Sequence, residues 1–333
     1  MKVGVLQFFS WPERRVPLPS VYARALERIE LMDRGGYDAV WLTEHHFTSF
    51  SVCQSIHMMG TRAAARTKRL RIGTAVSLAA FYHPLRLAEE IALLDVLSGG
   101  RVNWGAGRGF DRTEFTAFGV SPEESASRFR ETVEIVLRAW TDDRLTFAGR
   151  HFHFEDIEVL PKPLQKPHPP TWAAASSEPA IEWAAERGFS ILMDPHSSHR
   201  EIARKQRIYA QRLEQNGHSI AGREIPVARL IAVAESRGEA EQVARRGARW
   251  IVDAYAGARH RPVLPFGVPE ARSEGDPVER YLDGVVLFGT PELMVEEIAK
   301  LRELLPFDDY LLCAPLSQES FRLFTDEVLP RIA

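Results

Sequence analysis

Short apolar runs alternate with longer amphipathic ones along most of the chain. Residues 3–8 (VGVLQF) read as a buried strand, and the following SVYARALERIELMDRGG places Tyr22, Ala25, Leu26, Ile29 and Met32 at helical spacing before closing on glycine. The same unit recurs. Residues 38–43 form a second strand with a helix through SIHMMGTRAAART, residues 70–76 a third with HPLRLAEEIALLDVLSGG, and residues 101–107 a fourth. The helix after the fourth is predicted to start at Ser121, where Ser121, Pro122 and Glu124 resemble a capping box with proline at the first helical position. Its inner stripe is Ala126, Phe129, Val133, Val136 and Trp140.

The rhythm pauses at residues 144–170, read as a hairpin turning at Gly149 with a proline-rich return. Strands resume at 171–175, 189–194, 227–234 and 309–314. Eight strands with helices between them and no composition break predict an α/β fold of one domain over 1–333. The expected architecture is a single (β/α)8 TIM-like barrel with a hairpin insertion after strand 4 and a long insertion after strand 7. That second insertion, residues 256–284, is rich in proline and glycine and is expected to be a lid.

Composition narrows the class. With 45% hydrophobic residues the 333-residue chain has ample material for a core, and a net charge of -3 argues against a nucleic-acid partner. Cys53 and Cys313 lie apart in apolar contexts, as expected of buried thiols in a reducing cytoplasm. No run approaches membrane-spanning length, and the N-terminus does not read as a signal peptide, so a cytoplasmic protein is expected.

In a barrel, chemistry collects at the carboxyl ends of the strands. Glu44, His45 and His46 follow strand two, Ala75 and Val76 end strand three, Arg108 follows strand four, and Ser176 and Ser177 follow strand five. A metal reading is weak: the one His-x-His, His151 and His153, falls in the hairpin, and no His-Glu-x-x-His occurs. The bland reading of His45 and His46 is one packed and one solvated ring. GAGRGF at 105–110 is not a dinucleotide loop, because phenylalanine stands where the third glycine belongs. Glycines there let a ligand approach the backbone, with Arg108 as a fixed cation for a phosphate. Ser176 or Ser177 is placed to cap a helix whose free amides form an anion site, although Glu178 competes for the same dipole and an ordinary capped helix explains the pattern equally well.

Taken in order, YDAVWLTEHHF, RIGTAVSLAAFYHPLRLAEEIALLDVLSGGRVNWGAGRGFDRTEFTAFG, KPLQKPHPPTWAAASSEPAIEWAAERG and FGTPELMVEEIAKLRE resemble the bacterial luciferase-like, flavin-dependent monooxygenases. The resemblance implies a TIM-like barrel that takes reduced FMN from a separate flavin reductase. It implies O2 as co-substrate, a flavin hydroperoxide, and oxygenation of a small, mainly apolar organic substrate. A homodimer is expected. By residue, the resemblance makes His45 catalytic, with Glu44 and His46 orienting. It makes Arg108 the phosphate ligand, with Ser176 and Ser177 at the phosphate-side helix start, and Ala75-Val76 a cis peptide under the flavin ring. Ser176 departs from the glutamate common at its position. Two rivals stand beside this reading: a deazaflavin-dependent hydride transfer, and a non-catalytic flavin-binding partner subunit.

Overall fold

The computed structural model describes residues 1–256, 276–307 and 310–332. The fold is α/β with a mostly parallel central sheet. In chain order the first elements are β1 (Lys2–Gln7), α1 (Leu18–Gly35), β2 (Ala39–Leu42), α2 (Ile56–Ala64), β3 (Arg71–Thr74), β4 (Ser77–Leu78), α3 (Pro84–Ser98), β5 (Val102–Gly107), α4 (Arg112–Phe118) and α5 (Ser125–Thr141). A hairpin of β6 (Leu145–Ala148) and β7 (His153–Ile157) leads to β8 (Thr171–Ala174), α6 (Glu178–Glu186), β9 (Ser190–Leu192), α7 (His199–Gln215), β10 (Val227–Val233) and α8 (Arg237–Ala256). The chain then forms α9 (Pro277–Gly284), β11 (Val286–Gly289), α10 (Pro291–Leu304), β12 (Tyr310–Pro315), α11 (Gln318–Leu323) and α12 (Leu329–Ile332).

These elements fall into two compact units, one of Gln7–Trp172 and one of Met1–Leu6 with the described residues from Ala173 onward. In the first, β2, β3 and β5 run parallel in that order, with β4 also on β5. Every residue of β2 and β5 is buried, as expected of parallel strands covered on both faces. Gly73 lets the Trp41 ring lie on the neighbouring strand, where an added Cβ would meet the ring at 2.3 Å. Trp41 meets Trp172 edge-on at 5.1 Å, and Trp104 meets Trp140 at 5.0 Å.

In the second unit β10 pairs in parallel with β11 and with β12, and β12 with β1. Its core includes a buried polar group. Lys205 Nζ lies 3.1 Å from Asp194 Oδ2 and 2.8 Å from Ser197 Oγ, and the Tyr281 hydroxyl lies 3.1 Å from His196 Nδ1. Burial holds His196 down at about 4, hence neutral near pH 7.

The eight foreseen strands, the hairpin about Gly149 and the two buried cysteines are all present. Other expectations are corrected. The inner face of α1 carries Val21, while half-buried Tyr22 sends its hydroxyl to the Val52 carbonyl at 2.7 Å. The helix expected from Ser121 begins at Ser125. Glu124 N donates to Ser121 O and Ser125 N to Pro122 O, so 121–125 is a tight turn, and the Ser121 side chain serves Glu123 N. A separate helix, α4, precedes it, capped by Asp111, which accepts from Thr113 N at 2.6 Å. Strand β11 was not foreseen. Of the expected lid at 256–284, residues 257–275 lie outside the described residues, and Pro277–Gly284 is a helix with Tyr281 and Leu282 buried. Among the described residues no helix is long and apolar enough to cross a membrane.

Candidate active site

Strand β2 ends at Leu42, and the next residues turn over the sheet edge through hydrogen bonds that only tertiary structure supplies. Thr43 N and Oγ1 both donate to Gln7 O, and His45 N donates to Cys53 O at 3.2 Å. Glu44 is pulled inward and buried. Its Oε1 accepts from the Tyr82 hydroxyl at 3.0 Å and lies 3.0 Å from His46 Nε2, while Oε2 accepts from Leu78 N at 3.3 Å. Two donors and an imidazole nitrogen around one buried carboxyl are the polar partners that its burial requires. Tyr82 is pushed far above the usual phenol range, by burial first and then by the charge of Glu44, so its hydroxyl keeps its proton.

His45 and His46 take different surroundings. The ring of His45 meets Phe50 edge-on at 5.4 Å and Phe110 at 6.3 Å. That of His46 meets Phe118 at 4.8 Å and Phe47 at 5.8 Å. Phe47, at φ 58°, and Phe118 leave 57% and 40% of their surfaces exposed, so an apolar lip borders the imidazoles. The backbone N–H of His46 donates at 2.9 Å to Oε1 of Glu114, a buried residue of α4 that the sequence reading missed. Burial raises Glu114 to about 8, with Asp111 and Glu44 adding to the rise against the lowering by the His46 amide. No local signal in the sequence pairs Tyr82 with Glu44, 38 residues away.

The Ala75-Val76 peptide is cis, as the resemblance led us to expect. Both residues are half-buried at the end of β3, next to the Glu44 segment, since Ala75 N donates to Leu42 O. Arg108 follows β5 at the same edge of the parallel β2-β3-β5 arrangement. Its pKa is lowered by burial and then by the neighbouring cation Arg130.

Ser176 and Ser177 belong to the other unit. Both are half-buried. Ser177 occupies the N-cap of α6 without a side-chain cap bond, and its carbonyl accepts Ala180 N and Ile181 N. The hydroxyl is therefore not spent on the helix. Arg204 binds Glu178 at 2.8 Å, which offsets the carboxylate at that helix start.

Comparison with known proteins places the chain in a family. The model for luciferase-like monooxygenase matches residues 1–306. The oxygenase component of a flavin-dependent trigonelline monooxygenase from Acinetobacter baylyi is 30% identical over 67% of this chain and 62% of its own. A monooxygenase from Streptomyces bottropensis superposes with a TM-score of 0.84 at 27% identity over 100% of both chains. The oxygenating constituent of 3,6-diketocamphane monooxygenase from Pseudomonas putida, solved with FMN, gives 0.82 at 19% identity over 100% of this chain and 99% of that one, a likeness of fold. The chain spans about half the length of the first curated relatives it matches.

Proposed function

The chain belongs to the luciferase-like monooxygenase family, and from that premise we propose that it is an oxidoreductase, the oxygenase of a two-component system. It takes reduced FMN from a separate flavin reductase and uses dioxygen to oxygenate a small, mainly apolar organic substrate. The relative described as an oxygenase component supports the division of labour, and the FMN bound by the camphane enzyme supports the cofactor. The observation that carries the reading is one sheet edge with an imidazole end and a cationic end. His45 and the Glu44–His46 pair follow β2, and Arg108 follows β5, two strands away or roughly 10 Å at ordinary strand spacing.

Arg108 binds the flavin phosphate, whose charge offsets the repulsion between Arg108 and Arg130. Ala75 and Val76, joined by the cis peptide, would help to hold the flavin ring. Reduced FMN, when bound, supplies the electrons that activate dioxygen. The protein's own part is to hold a proton and exclude water. The imidazole of His45, among Phe50 and Phe110, holds or delivers the proton that decides how the activated oxygen reacts. Glu44 orients the His46 ring beside it. Taken by itself, the start of α6 with Ser176 and Ser177 is proposed as an anion-binding helix end.

We also read the outer face of α2 and α3 as the interface of a homodimer. Met58 is 76% exposed, and Leu93, Val96 and Leu97 are exposed on α3, a helix whose opposite side is also apolar and buried. A two-fold axis lets one such patch cover its own copy.

Anaerobic titration with reduced FMN and, separately, with reduced deazaflavin, followed by oxygen, tests the proposal. Binding of reduced FMN and oxygen-dependent product support it. Hydride transfer from deazaflavin without oxygen uptake overturns it in favour of the reductase rival, and flavin binding without product favours a partner subunit.

A further inference from the structure

Two buried carboxyls bracket one residue, His46. Glu44 holds its ring and Glu114 holds its backbone N–H. Their surroundings differ in a way that chemistry can use. Glu44 faces the Tyr82 hydroxyl, the Leu78 amide and the His46 ring, whereas among the described residues the donor to the Glu114 carboxyl is His46 N. The charges acting on Glu114 are Asp111, which caps its own helix, and Glu44 from the segment after β2, and both are of its own sign. Burial among acidic neighbours disfavours a charged Glu114, while a neutral carboxyl still accepts through its carbonyl oxygen.

We propose that Glu114 is a positioning residue for His46, working as a neutral carboxylic acid that fixes the His46 main chain while Glu44 holds the His46 ring. The link to oxygenation rests on the flavin reading given above. Near neutral pH Glu114 keeps its proton, because burial and its two acidic neighbours set its ionisation near pH 8. Above that pH Glu114 becomes negatively charged, and an anionic cofactor is held less tightly.

Two measurements test this with the full chain. In protein labelled with 15N-histidine, and with the His46 amide resonance assigned by its loss in His46→Asn, that resonance is expected to titrate with a midpoint near 8 in the parent. It is expected to stay flat in Glu114→Gln. A flat parent, or an unchanged titration in Glu114→Gln, overturns the proposal. In the second measurement, the affinity of the parent for FMN is expected to fall by about tenfold between about pH 7 and about pH 9, and the ratio of the two affinities to collapse toward one in Glu114→Gln. The same ratio in both proteins overturns the proposal. Should neither bind FMN while the His46 amide still titrates as described, the flavin reading fails and the neutral-acid role of Glu114 is supported.

Discussion

Glu44 Oε1 lies 3.0 Å from His46 Nε2, and the carboxylate is almost wholly buried. The pair joins residues two apart in sequence, and what holds it there is remote: the Tyr82 hydroxyl and the Leu78 amide complete the hydrogen bonding of the same carboxylate. Glu44→Gln keeps the shape and removes the charge. Loss of charge-assisted hydrogen bonds is expected to cost about 1.5–3 kcal/mol and to lower the fraction of consumed oxygen recovered as product. Thermal melting and oxygen-to-product stoichiometry check this, and a variant as stable and as well coupled as its parent refutes the orienting role.

Arg108→Ala is expected to weaken FMN binding by about 1.5–3 kcal/mol, since one charge-assisted contact to phosphate is lost. Arg108→Lys recovers part of it, because lysine lacks the planar fork. Equilibrium dialysis decides between this and an unchanged affinity, which would remove Arg108 from the phosphate site.

His45→Ala should still bind reduced FMN while product formation falls by on the order of 10² to 10⁴, the range for a lost general acid or base. Stopped-flow spectra and product analysis separate the two steps. Normal turnover in the variant would leave His45 as a packing residue against Phe50 and Phe110.

Lys205→Met removes the buried cation paired with Asp194 and leaves the carboxylate with its His196 and Ser197 hydrogen-bond donors, and the expected loss of stability is about 3–5 kcal/mol by denaturant unfolding. Burial alone would raise Asp194, but Lys205, His196 and the Ser197 donors outweigh it and hold the group below its ordinary 3.8. The sign follows. The pair's contribution is present above that pH and is lost as pH falls through the depressed folded value. Acid unfolding of the variant is therefore expected at higher pH than that of the parent, and coincident acid transitions would show that the pair contributes nothing.

Leu97→Arg on α3 is expected to shift a dimer to monomers without changing the melting of the isolated chain by more than about 0.5 kcal/mol, as for other exposed positions. Sedimentation equilibrium measures it. A parent that is monomeric at all concentrations rules out this face as the interface.

Much of this protein is legible in one dimension because its signals are local. Strand and helix periods, the turn at Gly149 and the placement of Glu44, His45, His46 and Arg108 just after strands all follow from patterns a few residues long. Even the missed β11 carried such a signal, an apolar run between Gly284 and Gly289. The partners were not legible. Glu114 is an ordinary first-turn glutamate until folding removes its solvent and sets it on the amide of His46, 68 residues away. Lys205 lies on a strongly amphipathic helix and reads as a surface charge, yet α7 turns it inward onto Asp194. Periodicity reports which face of an element is apolar. Which polar side chains are drawn into the interior, and which groups compensate them there, is decided by contacts between segments distant in the chain, where desolvation and hydrogen bonding act together.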